Sequence, residues 1–189
     1  MIQVRLAAPR RAARVTGLIL GAALLRALLL PLGDLFSTIV FASCLLAITW
    51  VERPSSTTEP RWGRGRAVVT GLMVGAILLA PVVTGPLSAR PWGAFWPWAA
   101  IAALIATLEE TSIRGVLYQR WAGEAGTVAA IVIGAGVFAL IHLPRYGLGA
   151  MPLDAAVGLA LGGLRALTGR VLPCAVAHTV ADWGAWLGA

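Results

Sequence analysis

From residue 13 onward the chain is a succession of long apolar stretches separated by short clusters of arginine, proline and glycine. Crossing roughly 30 Å of hydrocarbon takes about 20 apolar residues in a helix. Candidate crossings lie at 13–32, 35–51, 67–85, 93–121, 126–143, 152–168 and 171–188. In lipid only helices and closed barrels satisfy their own backbone, and these runs lack the apolar/polar alternation of barrel strands. The pattern therefore predicts an all-α fold, a polytopic transmembrane bundle of about seven helices. Residues 1–189 read as a single integral membrane domain. The clearly polar stretch, Glu52 to Arg66, is rich in proline and hydroxyl residues and reads as an exposed loop.

Composition agrees. With 59% hydrophobic and 12% charged residues, and a mean hydropathy of +0.83, the chain has too little polar surface to cover a soluble domain. Its formal charge of +7 comes from arginine, as there is no lysine. The arginines fall between apolar runs rather than in one patch, which argues against nucleic acid as a partner and for the lipid bilayer. Arg5, Arg10, Arg11 and Arg14 precede the first run, and Arg53, Arg61, Arg64 and Arg66 follow the second. Cytoplasmic loops are marked in this way, so the N-terminus is expected in the cytoplasm. Alternation of direction then puts Arg120, Arg165 and Arg170 on the same side and leaves Arg90 and Arg145 outside. Arg26 interrupts the first run, which reads as a retained anchor rather than a cleaved signal, with Arg26 snorkelling or pairing helices.

Other features add less. Cys44 and Cys174 sit inside apolar segments and suggest no disulfide. Gly134, Gly136, Gly158, Gly162 and Gly163 suit close helix packing. Tryptophans at 92, 96, 98, 121, 183 and 186 read as interfacial belts. Position alone puts Tyr118, Arg145 and Tyr146 near a cavity mouth.

A charged side chain near the bilayer centre costs several kcal/mol, so ionisable residues inside apolar helices are functional candidates. The fourth run carries Glu109, Glu110 and Arg114, the fifth carries His142, and the last carries His178 and Asp182. Residues four apart share a helix face, so Glu110 is expected to pair with Arg114, leaving Glu109 to face elsewhere as a base would. His178 and Asp182 share a face likewise. Taken singly, each group has a plain reading. Glu110 and Arg114 are a structural ion pair, His142 is a histidine bonded near a helix end, and His178 with Asp182 is a proton relay.

Together the three strings, Glu109-Glu110-Thr111-Ser112-Ile113-Arg114-Gly115, Phe138-Ala139-Leu140-Ile141-His142 and His178-Thr179-Val180-Ala181-Asp182, resemble the ordered motifs of the CPBP family. This CAAX-protease and bacteriocin-processing group, also called Abi, comprises intramembrane proteases and includes the type II CAAX prenyl proteases. The resemblance spans about 94–188. It implies an intramembrane endopeptidase acting on a membrane-associated protein or peptide. Glu109 would activate water with help from His142, Glu110 and Arg114 would brace the site, and His178 with residue 182 would stabilise the oxyanion. The family more usually has Asn at the last position, and an ionised Asp182 would repel an oxyanion unless it is protonated or serves to orient His178. Glu109, His142 and His178 also form a ligand set suited to zinc or another divalent ion. The reading without a cofactor is preferred.

The arginine-for-lysine usage suggests a GC-rich bacterial genome, hence the bacterial inner membrane. Among the roles that the resemblance implies, bacteriocin maturation, self-immunity and myxosortase-like processing of C-terminal sorting tails then suit the chain better than processing of prenylated tails. The alternatives are a non-catalytic membrane scaffold or immunity protein, and a small proton-coupled transporter.

Overall fold

The computed structural model describes residues 10–53, 60–84 and 94–187. The expectations for Arg5, Arg90, Trp92, Gly188 and positions 54–59 of the polar stretch concern residues outside these ranges. Every regular element among the described residues is helical. Helix α1 (Arg10–Leu29) passes through a short 3-10 turn at Leu30–Leu32 into α2 (Asp34–Val51), and the two form an antiparallel hairpin. Then follow α3 (Arg64–Thr84), α4 (Phe95–Glu110), α5 (Tyr118–Tyr146), α6 (Met151–Thr168) and α7 (Leu172–Leu187). The order and extent match the seven apolar runs to within a few residues. Among the described residues, four helical stretches are long and apolar enough to cross a membrane: Arg11–Leu32, Asp34–Val51, Phe95–Tyr146 and Leu148–Thr168.

Between α4 and α5 lies a π-helical segment, Thr111–Leu117, and the helix continues through it to a break at Gly126, at the expected gap between the runs 93–121 and 126–143. A continuous helix of 52 residues would be about 78 Å long, far beyond one bilayer crossing. Gly126 resolves this: at φ 88°, ψ 169° its backbone leaves the helical region, in a conformation that only glycine enters at little cost. The chain folds back there. A Cβ on Gly134 would lie 3.6 Å from Ile113. The Arg114 guanidinium stands 4.6 Å from the centre of the Phe138 ring. These contacts, with His142 beside Glu109, bring the later part of α5 back against the end of α4.

Small residues set the other close contacts. Gly71 and Gly75 of α3 meet α7 so tightly that a Cβ on either would come within 2.7 Å of Pro173 O or Val180 Cβ. Gly158 and Gly162 of α6 meet Ala135 and Ile131 of α5 in the same manner. Gly136 and Gly163, which the sequence also suggested for packing, have open space around them. The buried core is built from Val15, Ile19, Phe41, Leu45, Leu117 and Phe138 with their neighbours, contributed by most of the helices.

Candidate active site

The π-helical segment Thr111–Leu117 follows directly on the two acidic residues. Widening one turn changes the register of everything after it, and such segments recur at functional sites. It is held by three contacts from two helices. The Ser112 hydroxyl lies 2.9 Å from Thr49 Oγ1 of α2. Arg114 Nη2 donates to Gly158 O of α6 at 3.2 Å, and Arg165 Nε, from the same helix, donates to Arg114 O at 2.9 Å. Arg165 is buried, so its work is internal rather than that of a loop marker.

Arg114 and Glu110, both almost wholly buried, pair as their spacing predicts, with Nη1 2.9 Å from Oε1. The same Glu110 oxygen lies 3.0 Å from Nδ1 of His178. As a carboxylate already engaged by arginine, Glu110 accepts from that Nδ1–H, which turns Nε2 of His178 the other way. His142 is fixed by a different device with the same result. Its Nδ1 lies 2.8 Å from Phe138 O, and a carbonyl can only accept, so the proton sits on Nδ1. The Nε2 atoms then converge on one oxygen, Glu109 Oε2, at 3.9 Å from His142 and 3.8 Å from His178. Both distances exceed a direct hydrogen bond.

Asp182 joins the cluster by its expected face, with Oδ1 3.6 Å from His178 Nε2. It therefore approaches the nitrogen that looks toward Glu109, while the orienting bond at Nδ1 comes from Glu110. Phe138 packs against both imidazoles, 4.3 Å from the His142 ring and 5.2 Å from the His178 ring, which are themselves 6.0 Å apart. Tyr146 stacks on the outer face of His142 at 5.7 Å. All six candidate residues from the sequence are thus close neighbours.

They line, in part, a cavity of about 90 Å³, large enough to admit water. Glu109, His142, His178 and Asp182 are on its wall, with Trp98 and Ile105 of α4 and Arg145 and Tyr146 of α5. Of the three residues placed near a mouth by position, Tyr118 is elsewhere, buried with its ring under Arg165. Trp98 belongs to an aromatic cluster with Phe95 and Trp186 that joins α4 to α7.

The wall includes one cation that sequence reasoning assigned only to snorkelling or helix pairing. Arg26 of α1 is 6% exposed, donates to Thr38 Oγ1 at 3.2 Å, and lies over the Phe41 ring at 5.2 Å. Asp34 stands 4.0 Å from it and 3.2 Å from Arg145, so one carboxylate serves two arginines. The available signal was an arginine in mid-run, the same criterion that singled out Glu109.

Glu109, His142 and His178 each present one ligand atom, all within 4.8 Å of one another. Two imidazole nitrogens and a carboxylate oxygen at these separations fit a divalent ion such as zinc.

Residues 91–184, about half of the chain, match the family model described as "Type II CAAX prenyl endopeptidase Rce1-like". No curated protein and no solved structure matches the chain. The matched stretch contains all three motifs and the α4 to α7 framework that carries them, and family and apolar helices together describe an integral membrane protein. The chain belongs to the Rce1-like family of type II CAAX prenyl endopeptidases.

Proposed function

We propose that this chain is an endopeptidase that hydrolyses a peptide bond of a membrane-associated polypeptide with a water activated by Glu109. The observation that carries the reading is the approach of two Nε2 atoms to a single Glu109 oxygen, each just under 4 Å away. A water seated among the three gives one proton to Glu109 and donates the other to His142 Nε2, whose lone pair is free because Nδ1–H is spent on Phe138 O. Its oxygen attacks the scissile carbonyl carbon. The carbonyl oxygen becomes an oxyanion, which His178 stabilises through Nε2–H while its Nδ1–H is held by Glu110. The carbon–nitrogen bond then breaks as the proton on Glu109 passes to the leaving amine. Glu110 and Arg114 are positioning residues that act through His178 and the π segment. Asp182 sits beside His178 Nε2, supporting the doubly protonated ring rather than donating to the oxyanion.

The test is a comparison of membrane proteomes from cells carrying the parent chain and Glu109→Gln. A precursor that keeps its hydrophobic tail only in the variant supports the reading. A variant that inserts stably and retains the full phenotype indicates a scaffold or immunity role instead. Substrates of bacterial maturation, self-immunity or C-terminal tail processing, in an inner membrane, suit the lysine-free composition better than prenylated tails.

A second reading keeps the residues and changes the activator. The three ligand atoms within 4.8 Å would hold a divalent ion, which would supply a Lewis acid and a more acidic water. Treatment with a chelator separates the two. Cleavage that survives exhaustive chelation supports the glutamate mechanism, and loss that zinc restores supports the metal.

A further inference from the structure

The cavity has a direction. Its inner end is made by Glu109 and His178, 3% and 4% exposed. Toward the other end the wall opens: the side chains of Arg145 and Asp182 are 25% and 33% exposed, and Tyr146 is 41% exposed. In chain terms the open end lies at the finish of α5 and α7 and the start of α4, with Trp98 about 16 Å along α4 from Glu109. The finish of α1 and the start of α2, bearing Arg26, Asp34 and Thr38, lie on that side as well.

The opposite end of the bundle is where α1 and α3 begin and α2 and α6 finish. Direct contacts tie these termini together. Arg14 pairs with Glu52 at 2.6 Å, Arg120 donates to Glu52 O at 3.0 Å, and Arg61 N donates to Thr168 O at 3.2 Å. Arg11, Arg14, Arg61, Arg64, Arg66, Arg120 and Arg170 all belong to this end. At the open end the described arginines are Arg26 and Arg145, both drawn into the cavity wall around Asp34 rather than standing in a loop. Arginine near the ends of spans and in short loops is retained on the cytoplasmic side.

From these two asymmetries we propose that the cavity opens away from the cytoplasm, and that its substrate is a polypeptide segment already carried across the membrane. The second half of this statement rests on the hydrolase reading, and the first does not. A bond reaching Glu109 from the arginine-rich side would have to pass the buried π segment with Arg114 and Arg165, whereas among the described residues the partly exposed Arg145, Tyr146 and Asp182 line the way in from the other side.

The experiment is site-directed labelling of the full chain in bacterial spheroplasts with a membrane-impermeant maleimide. Leu148→Cys introduces a thiol in the exposed turn after α5, and Gly65→Cys introduces one in the first turn of α3, where a Cβ meets nothing. Cys44 and Cys174 are present in both and in the unsubstituted control. Leu148→Cys is expected to label in intact spheroplasts, and Gly65→Cys only after permeabilisation. The reverse pattern, or labelling of both in intact spheroplasts, overturns the proposal. Where a thiol proves unreactive, alkaline phosphatase fused behind the complete chain decides: an active enzyme agrees with α7 ending on the far side, and an inactive one overturns it. Labelling needs no catalysis, so Glu109→Gln must give the same pattern. Expected labelling with no cleavage of any precursor rejects the hydrolase reading alone. If both stand, the precursor that accumulates in Glu109→Gln cells is degraded by protease added outside intact spheroplasts, and protection of its tail there overturns the assignment of the substrate.

Discussion

His142 and His178 turn the same ring nitrogen, Nε2, toward one oxygen of Glu109, and each does so because its Nδ1 is tied behind it. The ties differ: a carbonyl one turn back, Phe138 O, for His142, and the carboxylate of Glu110 for His178. That difference makes the two imidazoles separable by experiment.

Replacing His178 by Ala is expected to lower the rate of precursor cleavage by about 100- to 1000-fold, the usual cost of losing one oxyanion donor. His142→Ala, which removes an acceptor for the water, is expected to cost about 100-fold. Rates measured in reconstituted vesicles check both, and full activity in either variant removes that residue from the mechanism.

Glu110→Gln is expected to weaken the fold as well as the reaction. It leaves Arg114, 1% exposed, without its buried counter-charge, and only a neutral amide oxygen to accept from Nδ1 of His178. Breaking a buried pair from one side costs about 3 kcal/mol or more, visible as a lower Tm in detergent. Glu109→Gln leaves the pair intact, so its Tm should stay near that of the parent while cleavage is lost. Equal Tm values for the two variants would contradict the division of labour between adjacent glutamates.

Asp182→Asn introduces the residue that the resemblance to the CPBP family leads one to expect at this position. Because Glu110 already orients His178, the amide is not needed for that purpose and can donate toward the oxyanion. Cleavage is expected to stay within about tenfold of the parent, whereas Asp182→Leu should lose roughly 100-fold. An inactive Asn variant would mean that the carboxylate itself takes part.

Packing of α3 on α7 offers a test away from the chemistry. A side chain at Gly71 or Gly75 meets backbone or branched carbon at about 2.7 Å, so Gly71→Val and Gly75→Val should each destabilise by about 1–3 kcal/mol. Gly136→Ala and Gly163→Ala, with open space around them, should leave Tm unchanged. Because α7 carries His178 and Asp182, activity should fall with stability in the first pair only.

Hydrophobic runs and the cost of charge in lipid made much of this protein legible from its sequence. The all-α class, the approximate limits of the helices and the identity of the six polar residues inside them all follow from the bilayer, which acts on each segment independently of its neighbours. The i,i+4 pairing of Glu110 with Arg114 followed too, because helical spacing survives into the fold. What the sequence could not decide is which groups meet across helices. Periodicity describes one helix at a time: it marked the gap between the fourth and fifth runs, but it is silent about a π turn that shifts the register after Glu110. For the same reason Arg26 and Trp98 were missed as cavity walls, and Gly71 and Gly75 as the seat of α7. Only the tertiary structure could settle that Glu110, rather than Asp182, holds Nδ1 of His178, since that contact joins residues 68 positions apart and depends on three helices packing in one particular order.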